Sequence, residues 1–230
     1  MKTFTFDMIK KKIDKWIETD IIAPEDIPSI ELYMDQVTTF MDKELSDTKR
    51  YDDDKILTKT MINNYSKNNL LPPSDRKKYS KDHIILLIYI YYMKSFLSIS
   101  DIQTLLEPMT ENHFLGSSEI SMSEIYSDIY DIEQKYKVRL KDNINDVCDI
   151  ADHEFPEDSE YLKTFAMIAM LSYDIYAKKQ LIERLIDSVK DDEISKEKLK
   201  EAKENAKRKE KSAREMARQH EKAIRGMKIN

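Results

Sequence analysis

A mainly helical fold is predicted for this 230-residue chain by three observations. Glycine occurs 2 times and proline 6, so few positions can hold the left-handed turns that close short hairpins. Apolar residues make up 40% of the chain, enough to supply a real core. They also recur at helical spacing along most of its length.

The first helix is marked by Phe6, Ile9, Ile13, Trp16 and Ile17, spaced three and four apart with lysines on the opposite face. After Pro24 and Pro28, the series Ile30, Tyr33, Val37, Phe40, Met41 and Leu45 predicts a second helix over about 29–45. Ser46 to Lys55 is polar, holds three consecutive aspartates and reads as a solvated loop. Thr58 stands where an N-cap belongs, and Met61, Ile62, Tyr65 and Leu70 follow it as a short helix. Asn68-Asn69 ends that helix, because asparagine tolerates the left-handed terminator conformation, and Pro72-Pro73 forbids continuation.

Ser74 to Ser80 is a polar bridge into an apolar helix over about 81–97. Its densest run, Ile84 to Met93, is far shorter than the roughly 20 residues that span a bilayer, so it predicts a buried helix and no membrane anchor. Ser100 with Gln103 suggests a capping box for one more short helix ending before Pro108. Two further helices are expected near 121–136 and 142–153. A long one follows Pro156; its first half, Phe165 to Leu171, is apolar all round and predicted buried. In its second half Leu181, Ile182, Leu185, Ile186 and Val189 form a one-sided stripe able to pair with a copy of itself.

Net charge is -6, but its distribution is uneven. Residues 196–228 carry 13 Lys/Arg and 6 Asp/Glu, a tail of +7 that leaves -13 elsewhere. Pairs such as Glu204 with Arg208 support a charged helix there. A second basic region lies inside the acidic part: Lys55, Lys59, Lys67, Arg76, Lys77, Lys78 and Lys81 are opposed only by Asp75, about +6 in all. Lysine and arginine neutralise phosphates and supply non-specific DNA affinity, while base-edge contacts specify sequence. Thr58 caps the short helix, and Lys59, Thr60, Asn63, Asn64 and Lys67 project from it between the apolar positions. Asparagine pairs with both edge atoms of adenine, which makes Asn63 and Asn64 candidate readers and Arg76, Lys77 and Lys78 candidate phosphate contacts. A merely solvated helix face is the alternative.

The order of parts adds to this. Thr58-Lys59-Thr60-Met61-Ile62-Asn63-Asn64-Tyr65, then Asn69-Leu70-Leu71-Pro72, resembles the recognition helix and exit of the MerR regulator family, a winged helix-turn-helix. Asn63-Asn64-Tyr65 stands at that family's Arg-Tyr-Tyr, and Asn69 at its glycine. Tyr79-Ser80 matches the close of the wing, and Leu97-Ser98-Ile99-Ser100-Asp101-Ile102 the turn into the last helix of that domain. Two departures stand out: Ser46 to Lys55 replaces a tight turn, and the wing, Ser74 to Lys78, is short. The stretch Ile30 to Leu106, with Tyr33-Met34-Asp35-Gln36-Val37-Thr38, is also similar to an uncharacterised family of Gram-positive bacterial proteins, domain-of-unknown-function family 1836.

These resemblances imply an N-terminal helix and linker (1–27), a MerR-like winged helix-turn-helix (28–110), a helical dimerisation or effector region (117–190) and a charged tail (191–230). The function they imply is sequence-specific binding of double-stranded DNA by a transcriptional regulator, with an effector left open, and together with the 181–189 stripe they predict a homodimer. The rival is a protein-interaction adaptor built on the same fold.

Other chemistry is sparse. Cys148, Asp149, Asp152, His153, Glu154, Glu157 and Asp158 are metal-ligand types, but one thiol and one histidine lack the repeated spacing of a dedicated site, and no metal is predicted. No glycine-rich phosphate loop, Ser/His/Asp set or Cys/His set is present, so neither enzyme nor cofactor is expected. His83 reads as a packed or capping residue, and Tyr89, Tyr91 and Tyr92 as core. A lone cysteine and the lack of a leader pattern in Met1 to Asp20 predict a cytoplasmic protein.

Overall fold

The computed structural model describes residues 5–17, 21–116, 119–156 and 159–192, without the side chains of 14–17. Trp16, Ile17 and the basic tail from Ser195 therefore fall outside what is described. The protein is mainly helical, with one two-stranded sheet among the described residues.

Helix α1 (Phe6–Ile17) turns Phe6, Ile9 and Ile13 inward as its spacing predicts, and all three are buried. The second helix starts later than expected. Leu32 and Tyr33 form strand β1, and α2 (Met34–Glu44) begins where the Tyr33 amide donates to Gln36 Oε1 at 2.9 Å. Local periodicity could not show this, because β1 is defined by a distant partner: Leu32 pairs with Tyr79 and Tyr33 with Lys78 of β2 (Lys78–Tyr79), antiparallel. Val37 and Met41 are the buried face of α2.

The connection from 45 to 58 is less free than a solvated loop. A single 3-10 turn (Ser46–Thr48) brings Thr48 Oγ1 to the Tyr91 hydroxyl, and Lys94 Nζ donates to Ile56 O at 3.0 Å. Within it, Asp54 Oδ2 accepts from the Arg50 and Tyr51 amides at 3.2 and 3.0 Å. Helix α3 (Lys59–Lys67) then packs on α2.

Helix α4 (Lys81–Met93) is the centre of this half. Every residue from His83 to Ile88, and Ile90, is 3% exposed or less. It is capped by Ser80, whose amide donates to His83 Nδ1 at 3.0 Å, so His83 is the capping residue expected. Tyr79 and Phe114 meet the His83 ring edge-on, and burial pushes its pKa down.

Three expectations for the second half are corrected. Helix α5 (Ile99–His113) is capped by Ser98, not Ser100, and runs through Pro108. A proline lacks the N–H and disfavours a helix interior; here Ile102 and Leu106 are buried before it, while Thr110 Oγ1 and Asn112 Nδ2 bond to the Leu106 and Pro108 carbonyls. The two helices expected near 121–136 and 142–153 are one, α6 (Met122–Glu154), capped by Ser121. No glycine or proline separates them, so nothing in the backbone requires a break. The long helix after Pro156, α7 (residues 160–192), does not bury the first half of its surface: Phe165 and Ile168 are each 57% exposed.

Contacts divide the chain into Met1–Glu183 and Arg184–Asn230. Within the first unit, α6 joins two cores. Its start packs on α4, where Tyr126 stacks edge-on against Tyr89 and donates to Ile22 O at 2.6 Å. Its end contributes Cys148 and Ala151 to a cluster with Phe6, Ile9 and Ile13 of α1 and Met167 of α7. Charges close that cluster: Asp152 bonds both Lys10 (2.9 Å) and the buried Lys163 (2.8 Å), and the Phe6 amide donates to the Glu160 carboxylate. The two lysines hold the Asp152 pKa down to about 2.

Candidate nucleic-acid interface

Helix α3 is anchored by one face and displays the other. Thr58 Oγ1 accepts from the Met61 amide at 3.2 Å, which fixes the helix start as a Thr cap should. Ile62 and Tyr65 are buried. Lys59, Thr60, Asn63, Asn64 and Lys67 all lie exposed, at spacings of one, three and four that make a single face. Asn69 ends the helix with φ 55, the left-handed terminator predicted for it, and Leu70 N then bonds back to Tyr65 O at 2.9 Å.

The asparagines are not equivalent. Asn68 spends its side-chain amide on the Asn64 carbonyl at 2.9 Å, but the side chains of Asn63 and Asn64 have no hydrogen-bond partner among the described residues. Their donors and acceptors face solvent, ready for an external partner.

Residues 74 to 78 form a hairpin tip that sequence alone does not reveal. Lys78 N donates to Asp75 O at 2.7 Å, and Arg76 and Lys77 between them have φ 47 and 66. Two successive positive φ values define a type I′ turn, which normally carries Asn-Gly because other side chains are strained there. Two long cations occupy the strained positions instead, both exposed. The turn sits directly beyond the β1–β2 pairing, so the short strand pair and the buried Tyr79 give it a fixed base.

Not every cation in the predicted patch is free. Lys59 pairs with Asp35 at the start of α2, and Lys78 lies 3.6 Å from Glu31 and 5.9 Å from the Tyr33 ring centre. Lys81 donates to Pro24 O at 3.2 Å. Lys55, Lys67, Arg76 and Lys77 have no ion-pair partner among the described residues. Glu31 and Asp35 thus belong to the site and were missed. The only cue in the sequence was their place just before and within the second helix, which says nothing of the α3 and hairpin residues they meet.

The other candidate clusters have structural uses. Asp149 and Asp152 are held by Lys10 at 3.0 and 2.9 Å, Cys148 is buried, and Glu157 and Asp158 lie outside the described residues. Among the described residues no group of three His, Cys, Asp or Glu is placed to hold a metal ion. No described helix is long and apolar enough to cross a membrane.

What fold and surface define is a helical domain carrying a capped basic helix beside a strained basic hairpin. Residues 22–129 match the family described as domain of unknown function (DUF1836). The ends of the match meet in space, since Tyr126 bonds the carbonyl of Ile22. No curated protein and no solved structure matches the chain.

Proposed function

We propose that this protein binds double-stranded DNA sequence-specifically, as a homodimeric transcriptional regulator in the cytoplasm, through α3 and the Asp75–Lys78 hairpin. The observation that carries the reading is the pairing of two unlike surfaces. One is a rigidly capped helix with uncommitted asparagine amides, suited to base edges in a major groove. The other is a hairpin tip that holds Arg76 and Lys77 outward at the cost of backbone strain, suited to phosphates. The arrangement supports a winged helix-turn-helix, with α2 and α3 as the two helices and the hairpin as the wing, and the MerR resemblance agrees with that order.

The test is a titration of the full chain on duplex DNA across a salt series. Binding that falls steeply with salt, by a slope of about 0.9 per neutralised phosphate, is expected. Replacing Lys77 and Lys78 together flattens that slope by roughly two phosphate equivalents and weakens all sequences alike. Absence of duplex binding near 50 mM salt, the low end of the usual comparison range, overturns the reading in favour of a protein-interaction adaptor.

A further inference from the structure

Residues 161–176 of α7 present a face that the other described residues leave uncovered. On one side of this stretch Lys163, Ala166, Met167 and Met170 pack toward α1 and the end of α6. On the other, Tyr161, Phe165, Ile168, Ile175 and Tyr176 are 57% to 75% exposed. Solvent-facing helix surfaces normally carry charge. Here the only charged residues between 161 and 176 are Lys163 and Asp174, and both are committed elsewhere: Lys163 to Asp152, Asp174 to Lys178 of the next turn at 2.6 Å.

Taking about 200 Å² for a large apolar side chain, the five exposed ones present roughly 600 Å². That reaches the top of the ~300–600 Å² range for the largest patch on an ordinary monomer, and it is most of the ~800 Å² that each partner contributes to a standard interface. A face of this size, aromatic and free of charge, has the composition of an interface centre.

We infer that this face pairs with the same face of a second copy, as an antiparallel helix pair centred near Ile168 and Ala169. The sequence of the stretch is self-complementary under a two-fold rotation. Aromatic residues stand at both ends, Tyr161 and Tyr176, and small exposed ones, Ala169 and Ser172, near the middle. Antiparallel pairing about 168–169 sets Tyr161 beside the other copy's 176 position and Phe165 beside its 172 position, so bulky side chains meet each other at the ends and the small one receives a bulky one inside. The spacing 161, 165, 168, 172, 175 alternates four and three, the seam along which two helices interdigitate. The stripe at 181–189, from which the sequence predicted dimerisation, is not the face assigned.

The inference rests on the homodimer stated above but not on DNA binding, and the two are read separately. Sedimentation equilibrium of the full chain without DNA is expected to give a dimer at micromolar concentration. Phe165→Glu with Ile168→Glu is expected to give a monomer, weakening association at least a hundredfold while far-ultraviolet dichroism stays unchanged. Ala169→Cys, close to the two-fold axis, is expected to form an interchain disulfide under mild oxidation, whereas Glu119→Cys, away from the helix, does not. A monomeric wild-type chain, a double-glutamate variant that is still folded and dimeric, or equal cross-linking at 119 and 169 overturns the assignment. The salt-series titration then reports on DNA binding whatever the mass, because phosphate contacts made by α3 and the hairpin do not need the second copy.

Discussion

Replacing Arg76 by Asn and Lys77 by Gly together should make the protein more stable and a poorer DNA binder. Both residues sit at positive φ, 47 and 66, in a turn that prefers Asn-Gly. A non-glycine residue in that region costs about 1 kcal/mol or more. Glycine at position 77 recovers most of one such cost but gives back some through the freer unfolded chain, and asparagine at 76 recovers part of the other, so a net gain of about 1 kcal/mol is expected. For a chain of this size that raises the melting temperature by roughly 2–4 °C. Removing both cations should meanwhile cut the salt dependence of duplex binding by about two phosphate equivalents. Thermal melting followed by dichroism, paired with duplex titration across salt, reads both effects on one preparation. A variant that melts lower refutes the strain argument. A variant that melts higher yet keeps its salt slope refutes the placement of these side chains on DNA.

Asn63→Ala or Asn64→Ala should reduce preference for the true operator by about 1–3 kcal/mol, the scale of one bidentate base contact, with non-specific binding nearly intact; competition between operator and scrambled duplex checks this. Asp35→Asn releases Lys59 from its ion pair and should raise non-specific duplex affinity severalfold with little change in melting, since both partners are well exposed. Asp152→Ala leaves Lys163, whose side chain is 8% exposed, without its 2.8 Å carboxylate, and urea unfolding should show a loss of about 2 kcal/mol, reduced from the fully buried case because Asp152 reaches solvent. The wild-type share of that stability is complete above the ordinary aspartate range and is lost as pH falls through about 2, so Asp152→Asn should flatten the acid limb of a melting-temperature profile. His83 behaves oppositely in chemistry but alike in direction: its folded pKa lies below 6.5, the unfolded chain takes up the proton first, and stability falls as pH drops below that value. His83→Gln keeps a capping acceptor at that position and should remove this pH dependence in the same melting series.

What the sequence disclosed follows from the range of each interaction. The α3 surface was legible because cap, anchor and display are all local: Thr58, then Ile62 and Tyr65, then the exposed set from Lys59 to Lys67, within ten residues. Asn69 was legible for the same reason, since a left-handed terminator is a property of one residue. The buried α4 needed only its unbroken apolar run. By contrast, β1 is a strand only because Tyr79 and Lys78 lie beside it, and Glu31 and Asp35 oppose the patch only once β1 and α2 are folded against α3 and the hairpin. The type I′ turn escaped because its residues are the wrong ones for it: a sequence rule expects glycine where Lys77 stands. Apolar periodicity also identified α7 without saying which side would be covered, because a stripe facing a core and a stripe facing another molecule look the same in one chain.

Helix α6 explains how one chain of net charge -6 can keep two surfaces independent. At 33 residues and about 1.5 Å per residue it is roughly 50 Å long, and it carries neither glycine nor proline at which a kink would form. Its first turns, through Met122 and Tyr126, are fixed on α4, the helix that also supports the hairpin through Tyr79 and His83. Its last turns, through Cys148 and Ala151, hold α1 and α7. The basic surface of α3 and the apolar face of α7 are thus attached to opposite ends of a stiff element, each end with its own buried cluster. Charge reaches only about 10 Å at ordinary salt, so acids in the last turns of α6, such as Asp146 and Asp149, do not cancel cations at α3. Local sign, not the sum over the chain, therefore governs what each surface can hold. A change on the α7 face that reaches the α3 surface through α6 moves that helix as a body, since neither glycine nor proline lies along it to form a joint.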